Sequence, residues 1–244
     1  MNDQRRSFRL NDHAYRTIFL VMLAAIVAEA LAPNLLGRLR VTDLLVSGIM
    51  IGVLFVAVRT RRHPVAALVL GLPAIITRVL GSALPDGLPL NSTILFLNAL
   101  FFGFLIWSIL SDIMGNRRST TERIFGALCA YILIGVLFAL LYAHLEYRAA
   151  GEAAFTFSDS TILESAESES GLLPLFIYYS FVTLTTLGYG DVTPVSEAAR
   201  TLAWMEALVG QLYLAVMVAG FVADHISKSG QIGSAGNRPG SDSP

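Results

Sequence analysis

The residues with the plainest chemistry are consecutive: Thr185-Thr186-Leu187-Gly188-Tyr189-Gly190-Asp191. They offer no nucleophile beside a base and no metal-ligand spacing. What they offer is backbone. Glycines at alternate positions open conformations closed to other residues, so successive peptide carbonyls can be turned to one side of a strand. Closely spaced rings of such oxygens replace the hydration shell of a dehydrated monovalent cation. Thr186 adds a hydroxyl at one end, and Tyr189 can hold the strand outward against a surrounding collar. A Gly-x-Gly pair alone would mark only a turn; the whole run carries the reading.

Such a strand needs a low-dielectric frame, and the composition supplies one. Of 244 residues, 55% are hydrophobic and 14% charged, with mean hydropathy +0.64. Soluble domains carry about a quarter charged residues, so this is the composition of a membrane protein. A net charge of −1 argues against nucleic acid as a partner. Cys129 is the single cysteine, which rules out an intrachain disulfide or a cysteine metal site. The histidines, His13, His63, His144 and His225, are scattered. No His-x-x-x-His or Glu-x-x-His pattern supports a metal enzyme, and no organic cofactor is implied.

Apolar stretches long enough to span a bilayer fall at 15–32, 42–58, 64–82, 93–113, 123–147 and 200–224. A shorter one, 172–187, ends in the glycine run and reads as re-entrant. Such backbone is allowed at membrane depth only beside protein or a water-filled cavity. Arg5, Arg6, Arg9, Arg16, Arg59, Arg61, Arg62, Arg117, Arg118, Arg123, Lys228 and Arg238 lie on one side, 12 of the 17 basic residues. The positive-inside rule makes that side cytoplasmic and both termini internal. A plasma membrane, preferably a bacterial inner membrane, is the expected setting, from the compactness of the chain and from the family resemblance that its glycine run carries. Arg5-Arg6 before an apolar stretch and Ala28-Glu29-Ala30 also fits a twin-arginine signal. Topology already accounts for those arginines, so 15–32 is read as a span.

The T-x-G-Y-G run at 186–190 resembles the selectivity filter of the potassium-channel superfamily, and residues 120–226 resemble its pore module. The resemblance implies an all-α membrane protein: six transmembrane helices, a re-entrant pore helix and filter, and a tetrameric potassium-channel pore fold. One filter copy per chain implies a homotetramer, with potassium ions and membrane lipid as its other partners. The corresponding domains are a cytoplasmic N-terminus 1–14, a voltage-sensor-like four-helix domain 15–113 and a linker 114–122. The pore domain 123–226 and a disordered cytoplasmic tail 227–244 follow.

Within the pore module, backbone carbonyls of Thr186, Leu187, Gly188, Tyr189 and Gly190 would bind potassium, with Leu187 in place of the commoner Val. Pro174 suits the first turn of a pore helix over 174–185. Its C-terminal end would direct partial negative charge at the cavity. Tyr178, Tyr179 and Phe181 would form the collar, while Phe176 fills the membrane core. Val182, Thr185 and Asp191 join Tyr178 as filter support. Some relatives pair a pore-helix acid with the Asp after the filter; with Val182 at that position, Tyr178 is expected to bond Asp191 instead.

Gly210 stands 20 residues after Gly190, at the family's hinge spacing, though close helix packing explains a glycine there equally well. Gln211, Leu214, Ala215 and Val218 share one helical face and would line the cavity. Glu206 is a carboxyl inside a span, where such groups are costly and functional. Off the cavity face, it is expected to bond pore-helix hydroxyls such as Thr183 or Thr185. Both structural bracing and proton-sensitive gating follow from such a carboxyl. Residues 146–170 hold Glu146, Glu152, Asp159, Glu164, Glu167 and Glu169 against Arg148, an acidic turret that would concentrate cations.

Six spans with the pore last match the voltage-gated plan, yet residues 93–111 hold no Lys or Arg. Steep sensors use about three to four charges per subunit, so strong voltage gating has no source here. Arg78, in the third span, is the one basic candidate for sensing voltage, and Glu29 and Asp43 are expected at its level to hold it in a fixed ion pair. The reading is a potassium-selective channel conducting passively, not strongly voltage-gated. The alternatives are a weakly selective monovalent cation channel, or a non-conducting membrane sensor or scaffold retaining the pore fold. A membrane enzyme or secondary transporter finds no catalytic constellation and no second broken helix.

Overall fold

The computed structural model describes residues 14–31, 71, 90–115, 119–149, 152–158 and 172–235. Among these residues, five helices and two short strands are given in chain order: α1 (Ala14–Leu31), α2 (Leu90–Met114), α3 (Thr120–Arg148), β1 (Phe155–Phe157), α4 (Leu172–Leu184), β2 (Val192–Pro194) and α5 (Glu197–Ala235). Among the described residues, three helices are long and apolar enough to cross a membrane: Ser92–Met114, Thr120–Arg148 and Glu197–Ala223. Leu172–Leu184 is too short to span. The expected spans at 42–58 and, apart from Gly71, 64–82 lie outside the described residues, as do Arg78, Asp43 and the side chain of Glu29.

α3 is the hub, packing against α1, α2, α4 and α5. Its start is set locally: Ser119 caps the helix, its hydroxyl accepting from Glu122 N at 3.3 Å. Small and aliphatic residues then bury on several sides, among them Ala127, Ala130, Leu133, Ala139 and Ala143. The connection from α2 to α3 spans only residues 115–119. That length folds the two back as an antiparallel pair, so α2 lies on its own chain's outer helix. α1 joins them through Tyr15, whose N–H donates to Glu122 Oε2 at 3.0 Å and whose hydroxyl donates to Asp112 Oδ2 at 2.8 Å. α1 is thereby fastened to α2 and α3 of the same chain.

Two features depart from the sequence expectations. The fold is not purely helical: β1 pairs antiparallel with β2, Phe155 opposite Pro194, Thr156 opposite Thr193 and Phe157 opposite Val192. Three-residue strands leave too little alternation to be read from a chain. The inner helix also runs on to Ala235, so residues 227–235 of the tail assigned to disorder are helical. No proline interrupts that stretch before Pro239, and a helix already begun extends at small cost.

Candidate functional site

The strand after α4 takes its shape from backbone bonds returning to that helix. Thr186 N donates to Thr183 O at 2.9 Å, Leu187 N to Val182 O at 2.9 Å, and Gly188 N to Val182 O at 3.3 Å. In a trans peptide the carbonyl points opposite the N–H of the next residue. The carbonyls of Thr185, Thr186 and Leu187 are therefore turned away from the pore helix, toward the open side. Thr186, Gly188 and Gly190 all have positive φ, at 60°, 59° and 79°. Alternation between these residues and Leu187 and Tyr189 rotates successive peptide planes, as a run of same-facing carbonyls requires. Glycine adopts this region freely; Thr186 does so against a steric cost.

The supports sit behind and above. Val182 acts through its carbonyl, the acceptor shared by the two amides. Tyr178 Oη donates to Asp191 Oδ2 at 2.6 Å. Asp191 Oδ1 accepts from Val192 N at 3.0 Å, and Asp191 O from Ser158 N at 2.9 Å. The pairing of β1 with β2 thus joins the end of the strand to the segment after α3. Gly190 O accepts from Thr193 Oγ1 at 3.3 Å, so this carbonyl is partly engaged within the chain. Thr185 Oγ1 donates to Phe181 O at 2.6 Å and closes the last turn of α4. The strand itself is open: Leu187 is 56% and Tyr189 66% exposed.

Of the three aromatics expected around the strand, Phe181 turns its ring to Gly135 of α3, and Tyr179 also belongs elsewhere. It is buried against Tyr142 and Phe155, at ring separations of 5.0 and 5.3 Å. Successive residues on a helix point about 100° apart, so Tyr178 and Tyr179 cannot both face the filter. Phe176 is fully buried in the same cluster, as a core residue.

α5 presents one packed stripe, Ala199, Glu206, Gly210, Tyr213 and Met217, toward α3 and α4. Gln211, Leu214, Ala215 and Val218 lie off that stripe and are exposed. Gln211 Nε2 comes within 3.4 Å of Thr186 Oγ1, bringing the expected cavity face to the inner end of the strand. Gly210 has a contact that accounts for it: a Cβ there would stand 2.5 Å from Leu184 O, the last carbonyl of the pore helix. Tyr131 Oη donates to that same carbonyl at 3.3 Å. Tyr213 Oη donates to Ala127 O at 2.6 Å, fastening the inner helix to the outer one a turn further on.

Glu206 is fully buried, but not against Thr183 or Thr185. Its Oε2 accepts from Tyr142 Oη at 2.6 Å, and its Oε1 bonds Ser180 Oγ. Ser180 lies about one turn before Thr183 on the same side of α4, which is where α5 crosses. Ser180, Tyr142, Tyr131, Thr193 and the β1 segment were missed from sequence. The Phe155-Thr156-Phe157 alternation was the one available signal. The acidic residues 159–169 and the pair proposed for Arg78 lie outside the described residues. Among the described residues no group of His, Cys, Asp and Glu could hold a metal ion.

Comparison with known proteins agrees with this geometry. A family model described as "Ion channel" matches residues 145–224, from the end of α3 through the strand to most of α5. Protein LctB of Geobacillus stearothermophilus is 40% identical over 119 residues, covering 49% of this chain and 83% of that protein. The chain belongs to the family of the LctB proteins, and its residues 145–224 carry an ion-channel domain. Protein LctB of Bacillus caldotenax is 31% identical with the same coverage. The Shaker-related potassium channel tsha2 of Oncorhynchus mykiss is 28% identical over 115 residues, 46% of this chain and 20% of its own length. No solved structure matches. This membrane protein is accordingly a channel rather than an enzyme.

Proposed function

We propose that four copies of this chain close a potassium-selective pore that conducts passively down the electrochemical gradient. The observation that carries the reading is the strand at 185–190: the amides of Thr186, Leu187 and Gly188 return to the pore helix, the carbonyls of Thr185, Thr186 and Leu187 turn the other way, and φ is positive at Thr186, Gly188 and Gly190. One wall of carbonyls binds no ion alone; symmetry around an axis completes each ring. The exposure of the strand and of α5 supports assembly. Only 11% of the inner helix's apolar window is buried within the chain, against 61% for the outer helix.

The full plan has six spans with both termini cytoplasmic, in a bacterial inner membrane, a setting supported by the relatives from Geobacillus and Bacillus. α2 carries no Lys or Arg from Leu90 to Met114, so membrane potential has little charge to act on there. Conduction is therefore not steeply voltage-dependent.

Purified protein in liposomes should pass potassium, with barium blocking the flux. Reversal potentials with potassium and sodium on opposite sides should lie near the potassium equilibrium potential. A reversal potential near zero would replace potassium selectivity with general monovalent conduction. Absence of flux under every voltage and pH would refute the channel itself.

A further inference from the structure

Glu206, Ser180 and Tyr142 meet where inner, pore and outer helices cross, and their hydrogens can be counted. Ser180 Oγ is 2.7 Å from Gly135 O and also within bonding distance of Glu206 Oε1. Tyr142 Oη is 2.6 Å from Glu206 Oε2. Each of these three oxygen–oxygen contacts needs a hydrogen between its atoms, since bare lone pairs at such distances repel. Ser180 and Tyr142 carry one hydroxyl hydrogen each, and a backbone carbonyl carries none. The third hydrogen has one remaining source, the carboxyl of Glu206.

The surroundings agree with an uncharged acid. Glu206 is 0% exposed. The titratable groups facing it are Tyr131 and Tyr142 of the outer helix and Tyr179 of the pore helix. None is a base, and no Lys, Arg or His contacts it among the described residues. The ring of Tyr142 is itself held between Phe155 and Tyr179, at 5.5 and 5.0 Å, so its hydroxyl has little freedom to turn away.

We propose that Glu206 is a protonated positioning residue for the filter, donating its carboxyl hydrogen to Ser180 while accepting from Tyr142. The donor to Ser180 frees the serine hydrogen for Gly135 O, so one carboxyl pins three helices. One turn further along α5, Gly210 meets Leu184 O, and two residues before Leu184 stands Val182, whose carbonyl holds the filter amides. Ionising the acid leaves two hydrogens for the three contacts, so Ser180 keeps either Glu206 or Gly135 O but not both, and the pore helix loosens at the point from which the filter hangs.

Infrared difference spectra of purified full-length protein test the proton directly. Wild type at neutral pH should show the carbonyl stretch of a protonated carboxyl, and Glu206→Gln should lose it. Identical spectra in that region would overturn the proposal. Flux measurements then test the positioning, and here the inference rests on the channel reading above. Glu206→Gln, whose amide supplies one donor and one acceptor, should keep potassium flux within about twofold, whereas Glu206→Ala and Ser180→Ala should lower it about tenfold. Alkaline pH should reduce the wild-type flux and leave that of Glu206→Gln unchanged. Matching pH profiles, or a glutamine variant as impaired as alanine, would refute the role. The infrared band needs no conduction, so its absence counts against the protonated clamp whatever the flux. Silent liposomes with the band present count against the channel reading alone.

Discussion

Replacing Gly210 by alanine separates a packing glycine from a bending one, because the two roles predict opposite signs. The added Cβ would stand 2.5 Å from Leu184 O and 3.0 Å from Leu184 Cδ1. Even a weak C–H···O contact needs about 3.3 Å, so α4 and α5 must part by about 0.8 Å. Overpacking of this kind costs about 1–3 kcal/mol. Alanine's better helix propensity offsets about 1 kcal/mol of that. The net expectation is a loss of up to about 2 kcal/mol per subunit. The displacement falls on Leu184, two residues from the carbonyl that holds Leu187 and Gly188, so selectivity should suffer with stability. Thermal unfolding of the assembled protein in potassium, with reversal potentials in planar bilayers, reads both. Gly103→Ala is the control: nothing lies within 4 Å of its added Cβ, and it should gain up to about 1 kcal/mol. A Gly210→Ala protein as stable and as selective as wild type, changed only in open probability, would refute the packing argument in favour of a hinge.

Tyr178→Phe removes the 2.6 Å bond to Asp191 from a partly exposed site. A loss near the lower end of about 1.5–3 kcal/mol for bonds to charged groups is expected, read as faster decay of sustained current; unchanged decay would dismiss the bond as a brace. Thr186→Gly relieves a left-handed conformation that costs a non-glycine residue about 1–2 kcal/mol but deletes the hydroxyl at the inner end of the strand. Thermal stability should hold or rise while block by internal barium weakens; a fall in stability would contradict the strain. Phe155→Ala empties a buried position stacked on Phe176 at 4.8 Å and should cost about 3–5 kcal/mol. A change under about 1 kcal/mol in thermal unfolding would mean that the turret strand is not anchored there.

The strand at 185–190 and the long apolar helices were legible in the chain before any contact was known. The strand is local chemistry: its shape depends on which residues tolerate positive φ, and Gly188 and Gly190 announce that themselves. A span is recognised by the length of its apolar run, which is how α2 and α3 were found within a few residues of their observed limits and α5 within a few residues of its start. The Tyr178–Asp191 pair could be anticipated because only the short filter strand separates its partners. Helix limits beyond the apolar run were less legible, as the extension of α5 to Ala235 shows.

What only the tertiary structure decided were the meetings of residues far apart in the chain. Glu206 finds Tyr142 across 64 residues and Ser180 across 26, and Tyr15 finds Glu122 across 107. Sequence marks Glu206 as a buried carboxyl needing partners, but which hydroxyl it reaches depends on the rotation and crossing point of two helices. The same crossing turned Tyr179 into the core and brought Leu184 O against Gly210. Local backbone preference is carried by each residue alone, whereas these contacts exist only once the helices have docked.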